Sequence, residues 1–466
     1  MEVSISSPVM NHSALGTLLD REICASVWNS PHPPVIMNRL CHEIGPRPPG
    51  TPEMQAAQAY LKTLLDEIGV GGLRQECVPL PGWKPEPSQL EMCFPIQRKY
   101  ESVQHVNTCA ADVSGRLVEV ESATEANLDR AGSALENAVV LLRGHISFGQ
   151  KYTPYPIQME RLTRRGVRGV ITRSSEVEGC PGIRLFGFDD VIPIPAVAVS
   201  PGAASELHHY AQTRKAEVRL ITRGQRVAAR CSNLLGELSP PGARPEALII
   251  SAHLDTFHLN PGALDNLTGV VTLLEIVRAL APLHAHFQRK LLINIYTGEE
   301  YGFLGSKSYV RDHFDELDAI RFVLNLDMLW PATAEGMAVI WSPSMRDYIE
   351  GQFRQTQRRV DVRNLFCMSS DYLPFVLAGV PAGRPASLAG PMPPWYHTTE
   401  DTAEKVPVDW IRSNAMVFGQ LLARMLADPA PLPAGRLTPE EVQLLLRQEG
   451  VVEELRSMGF PCEGCP

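Results

Sequence analysis

The sequence predicts an α/β fold: a mixed, largely parallel central sheet flanked by helices and interrupted by a β-rich inserted module. Three observations carry this expectation. From about residue 228 apolar strands alternate with amphipathic helices. Between about 100 and 225 the texture changes to short strands with few chemically competent clusters. His and carboxylate residues recur where the apolar strands end. The expected organisation is a main domain built from 15–98 and 227–427, an inserted module over 99–226, and a Pro-rich linker with a short helical tail over 428–466.

The elements follow in order. The N-terminus, MEVSISSPVMNHSALGTLLDREICASVWNS, lacks a basic region ahead of an apolar one, so no secretory signal is read and a cytoplasmic location is expected. In GTPEMQAAQAYLKTLLDEIG, Thr51 caps a helix with Pro52 in its first position. Tyr60, Leu61, Leu64, Leu65 and Ile68 share one face, and Gly69 suits the stop. Within the module, ENAVVLLRG reads as a strand ending at Gly144, PIQMERLTRRG as a helix, and VRGVITR and IPIPAVAVS as strands. His208 and His209 read as a solvated surface pair.

Beyond it, EALIISAHLD, KLLINIYT and AIRFVLNLD read as strands. NLTGVVTLLEIVRALA is a helix with Val270, Leu273, Leu274, Val277 and Leu280 along one side. ADPAPLPAG reads as a linker, and Thr438 with Glu441 forms a capping box for a terminal helix. Cys462 and Cys465 supply at most half a zinc site and read as incidental.

Composition narrows the function. Apolar residues make up 44%, charged residues 20%, and the formal net charge is -9, which is globular and gives no nucleic-acid footprint. No apolar run approaches the roughly 18 residues of a membrane span, so no membrane partner is expected. The ten scattered cysteines look like reduced thiols rather than a disulfide framework.

Position is the informative point. The strands end in His253-Leu254-Asp255, in Glu299-Glu300 and in Asp327. Asp265 lies in PGALDN and His397 in PPWYHTTEDT, both Pro-bounded loops. In open α/β sheets, sites form beyond the carboxyl ends of strands. Each residue also has a plain reading: His253 as a core histidine, Asp265 as a helix cap, Asp327 as a turn. Their shared rim argues for a site. Two imidazoles with several carboxylates and no thiolate suit zinc, or manganese or cobalt. An excess of carboxylates suits two metals about 3.5–4 Å apart sharing a bridging carboxylate. Neighbours on a strand point to opposite faces, so Glu299 and Glu300 reach one site only if the chain turns there, which Gly298 eases.

HLDTF, GALDNLTG, TGEEYGFLGS, NLDM and YHTTEDT, in this order, resemble the co-catalytic di-zinc aminopeptidases, a family that includes bacterial leucyl aminopeptidase, aminopeptidase S and the glutamate carboxypeptidase II group. The likeness covers about 35–95 and 228–425, and the intervening segment resembles a protease-associated domain. The resemblance implies a zinc exopeptidase-like fold, two zinc ions per chain with cobalt or manganese as alternatives, and a peptide substrate cut at its N-terminus. It implies that His253 and Asp327 hold one metal, Glu300 and His397 the other, and Asp265 bridges them. Asp255 would hydrogen-bond the His253 imidazole, Glu299 would be the general base, and Tyr396 would steady the oxyanion.

One departure stands out: where family members often carry Ser-Asp-His, this chain has Ser370-Asp371-Tyr372, which bears on pocket shape and substrate choice. The rival readings are a single-zinc glutaminyl cyclase, a carboxypeptidase for acidic C-termini, and a non-catalytic binding homologue. The last would have lost ligands, and none is lost. A homo-oligomer stays open.

Overall fold

A computed structural model describes residues 12–144, 153–173, 176–213, 215–356, 358–387, 392–433 and 435–461. Cys462 and Cys465 lie outside the described residues. The main sheet has eight strands in the spatial order Gly71–Lys84, Gln225–Leu238, Lys290–Tyr296, Ala247–His253, Ile320–Asn325, Ala382–Pro385, Gly336–Ile340 and Asp361–Asn364. Its centre is parallel: Ala247–His253 pairs in parallel with both Lys290–Tyr296 and Ile320–Asn325, and the latter with Ala382–Pro385. Antiparallel pairs flank this core.

The strands are apolar on both faces because both are covered. Leu248, Ile250 and Ala252 point into one core, while Ala247 and Ile249 point into the other. Helices His12–Asn29, Pro52–Ile68, Thr268–Leu280 and Val408–Ala427 build the first layer. Leu19, Ile23 and Val27 on the first of these repeat every four residues, a pattern hidden within the polar N-terminus. The run Ala263–His286 is long and apolar enough for a bilayer, yet 72% of its most apolar window is buried inside the protein. Thr51 caps Pro52–Ile68 as expected, its hydroxyl accepting from Met54 N, and Gly69 closes that helix in the left-handed region.

The second sheet also has eight strands, all between Gln89 and Thr222. Two expected boundaries move. Gln89–Phe94, expected in the main domain, pairs with Glu217–Thr222 of the second sheet. Gln225–Leu238 runs through the expected boundary at 226/227 as one 14-residue strand of the main sheet. The cause is an antiparallel ribbon, Gly71–Lys84 against Gln225–Leu238, that carries the chain out to the module and back. Within the module, His208 is paired with Glu119 rather than simply solvated.

The tail differs from a free linker. Leu432 is buried in the first core. Helices Pro439–Glu449 and Val452–Ser457 bury Val442, Leu446 and Leu455 in the second. The Thr438–Glu441 capping box forms as the sequence predicts.

Candidate metal centre

The three strand ends meet at one rim. His253, Glu299 and Asp327 bring ligand atoms within 4.8 Å of one another, and so do Asp265, Glu300 and His397. Asp265 joins the two groups. Its Oδ1 lies 3.1 Å from His253 Nε2, and its Oδ2 lies 3.0 Å from His397 Nε2. His253 Nε2 is also 3.5 Å from Asp327 Oδ1, and His397 Nε2 is 3.0 Å from Glu300 Oε2.

The glutamate pair shows how local chemistry builds the rim. The strand ends at Tyr296, and Gly298 takes φ 72°, a left-handed conformation in which a methyl would also lie 3.2 Å from Leu304 Cβ. The chain then turns, with Gly302 N and Phe303 N both donating to the Glu299 carbonyl. Asp255 completes the turn. Its two carboxylate oxygens accept from the backbone N–H of Glu299 at 3.1 Å and of Glu300 at 3.2 Å. The turn adds to the role expected of Asp255. The His253 Nδ1 lies 3.2 Å from the Asp255 carbonyl and 3.7 Å from its carboxylate.

Three residues outside the expected set hold the site. Asp401 Oδ1 and Oδ2 accept from Leu264 N at 2.7 Å and Asp265 N at 3.1 Å, aiming the Asp265 loop. Asn266 ties that loop to the third strand end: its Nδ2 donates to Leu326 O, and its Oδ1 accepts from Gly269 N and Met328 N. Gly269 permits this approach, since a Cβ there would sit 2.3 Å from Leu326 O. Arg47, fully buried, spans Leu40, Gly45, Leu254 and Pro261 carbonyls beneath the rim. Asp401 stood inside the quoted YHTTEDT motif. Arg47 carried no spacing signal, because its partners are backbone carbonyls from distant segments.

The electrostatics suit a cation. Burial raises the Glu299 and Glu300 carboxyls well above the ordinary range, and neighbouring carboxylates add to it. Burial pushes His397 down to about 4, so its imidazole is neutral at pH 7, the state a metal ligand needs. Burial opposes the charged form of Asp265, yet the two imidazoles hold its carboxyl below the usual value. Among the described residues, His253 Nε2, Glu300 Oε1 and Asp327 Oδ1 are buried without a hydrogen bond. Such orphaned atoms are costly unless an ion engages them. The residues therefore fit metal binding.

Tyr396 stacks on His397 with ring centroids 3.6 Å apart, and the Arg184 guanidinium of the inserted module lies 4.6 Å from the Tyr396 ring centre. Burial holds the Tyr396 hydroxyl well above 10, so it stays a proton donor. Tyr372 lies aside. Its hydroxyl donates to the Cys367 carbonyl at 3.0 Å and organises 367–369 rather than reaching an imidazole. Asp401→Asn is expected to weaken zinc affinity 10–100-fold by loosening Asp265, as read by competitive zinc titration; unchanged affinity would remove Asp401 from the site.

Fold and centre together define an α/β protein with a paired nitrogen–oxygen metal constellation at the strand ends. Residues 233–422 match the model of peptidase family M28. Aminopeptidase YwaD of Bacillus subtilis (strain 168) is 30% identical over 188 residues, which are 37% of this chain and 40% of that relative. Carboxypeptidase Q of Xenopus laevis is 22% identical over 389 residues, 80% of this chain and 81% of that relative. The peptidase M28 precursor from Shewanella amazonensis shares the fold with a TM-score of 0.80 at 18% identity, covering 92% of this chain and all of that one.

Proposed function

We propose that this protein is a metal-dependent exopeptidase, a di-zinc aminopeptidase that hydrolyses N-terminal residues from peptides. The observation that carries this reading is Asp265, whose two oxygens face opposite imidazoles at 3.1 and 3.0 Å. That is the arrangement of a bridging carboxylate. His253 and Asp327 would hold one ion, and Glu300 and His397 the other. The aminopeptidase relative is consistent with it.

Two zinc ions, when bound, supply Lewis acidity and lower the pKa of water to about 7. Glu299 takes a proton from the attacking water onto its carboxylate as the water oxygen joins the scissile carbonyl carbon. The carbon–nitrogen bond then breaks while Glu299 returns that proton to the leaving amine. The Tyr396 O–H donates to the carbonyl oxygen as charge builds there. Glu299 keeps 12% of its side chain exposed against 4% for Glu300, which suits a shuttle facing substrate beside a buried ligand.

A second reading, a carboxypeptidase, is favoured by Arg184. This module residue places a cation against Tyr396, where a substrate carboxylate could be met, and one relative is named a carboxypeptidase. One experiment separates the readings: hydrolysis of peptides with free or blocked N- and C-termini, by zinc-loaded and by chelated protein. Cleavage that needs zinc and a free amine supports the aminopeptidase. A need for a free carboxylate supports the carboxypeptidase. Full activity after exhaustive chelation overturns both.

A further inference from the structure

The two imidazoles of the centre are held differently. His253 Nδ1 faces the carbonyl of Asp255, two residues along the same strand end. His397 Nδ1 faces the carbonyl of Ile183, 3.1 Å away and part of the inserted module. The contact is reciprocal, since Ile183 N donates to the His397 carbonyl at 3.0 Å. His397 sits at φ 59°, a conformation that a non-glycine residue adopts only when its surroundings impose it.

The Ile183 segment is anchored to the module. Arg184 N donates to His105 Nδ1 at 3.1 Å, and Val106 exchanges backbone hydrogen bonds with Arg184 and Phe186. Asn107 Nδ2 donates to Gly187 O at 2.7 Å. On the other side, Ile183 packs with Phe257 and Tyr301, which flank the centre.

We propose that the inserted module completes the metal centre: the Ile183 backbone is a positioning element that fixes the His397 tautomer and thereby controls occupancy of one of two metal positions. A neutral imidazole carries one proton. With that proton on Nδ1, donated to Ile183, Nε2 offers its lone pair. Without the acceptor, the proton also occupies Nε2, where Asp265 Oδ2 and Glu300 Oε2, each 3.0 Å away, bind it in competition with an ion. The His253 position has its acceptor within the main domain and is independent of the module.

The inference rests on the two-metal reading, and the test separates them. Zinc is titrated calorimetrically, with a competing chelator, into the full chain and into three variants. Ile183→Val keeps both backbone bonds and is expected to match wild type. Ile183→Pro removes the donor that clamps His397. Phe188→Ala removes the ring that abuts Gly302, which loosens the module's loop and with it the hold of the Ile183 carbonyl on His397. Both are expected to raise the Kd of one zinc 10–100-fold while the other zinc binds as in wild type. Should Ile183→Pro fail to fold, Phe188→Ala decides. One zinc in wild type overturns the two-metal reading. Two zincs bound equally well by wild type and both variants overturn the module's role alone.

Discussion

Glu299→Gln is expected to lower kcat by a factor of about 10² to 10⁴, the usual contribution of a positioned general base, while both zinc ions remain bound. The amide is nearly isosteric and keeps its place in the turn, since Asp255 holds the backbone N–H of Glu299 and not its side chain. What it loses is the ability to accept a proton. Zinc content by elemental analysis and kcat on a free-amine peptide check the two halves of the expectation. A near-normal kcat would remove Glu299 from catalysis. Loss of a metal would make it a ligand, as its place in the His253 group allows.

The pH profile gives an independent reading of the same group. Burial first, then the charges of Asp327 and Glu300, raise the Glu299 carboxyl above the ordinary 4.5, against the pull of His253. A base works only when deprotonated. Activity should therefore fall as pH drops through the pKa of Glu299, and should be fully present above it. In Glu299→Gln that acid limb should vanish from the residual rate.

Much of this centre was legible because chemistry and topology coincide. Parallel strands end at one rim, so a His or carboxylate in the last position of each is brought together without any sequence proximity. His253, Glu300 and Asp327 are read that way, and Gly298 announces the turn that turns two neighbouring glutamates toward one place. What escaped reading is whatever depends on backbone groups. Asp255 also engages two amides, and the partner of His397 Nδ1 is the carbonyl of Ile183, 214 positions earlier in the chain. Backbone acceptors leave no residue-type signature. The domain boundaries moved for a similar reason: the paired ribbon around Gly71–Lys84 is set by main-chain pairing, while composition changes only where the strands leave it.

Arg47→Met is expected to destabilise the protein by about 3–5 kcal/mol, as befits removal of one partner from a buried charged network. Arg47 is 0% exposed and donates to Leu254 O at 2.9 Å, Leu40 O at 3.1 Å, and Gly45 O and Pro261 O at 2.8 Å each. Methionine fills the volume but leaves four buried carbonyls without their donor. A second effect is electrostatic. Burial lowers the Arg47 guanidinium to about 10, so it is charged at pH 7, and it stands near Asp255, Asp265 and Asp401. Without it those carboxylates lose a compensating cation. Zinc would restore positive charge beside them but cannot restore the carbonyl bonds. The loss measured by urea unfolding should therefore be larger in chelated protein than in zinc-loaded protein, and substantial in both. Arg47→Lys keeps the charge without the planar fork, so it should recover the chelated protein more than the zinc-loaded one. Equal unfolding midpoints for wild type and Arg47→Met in both states would reduce Arg47 to filler beneath the rim.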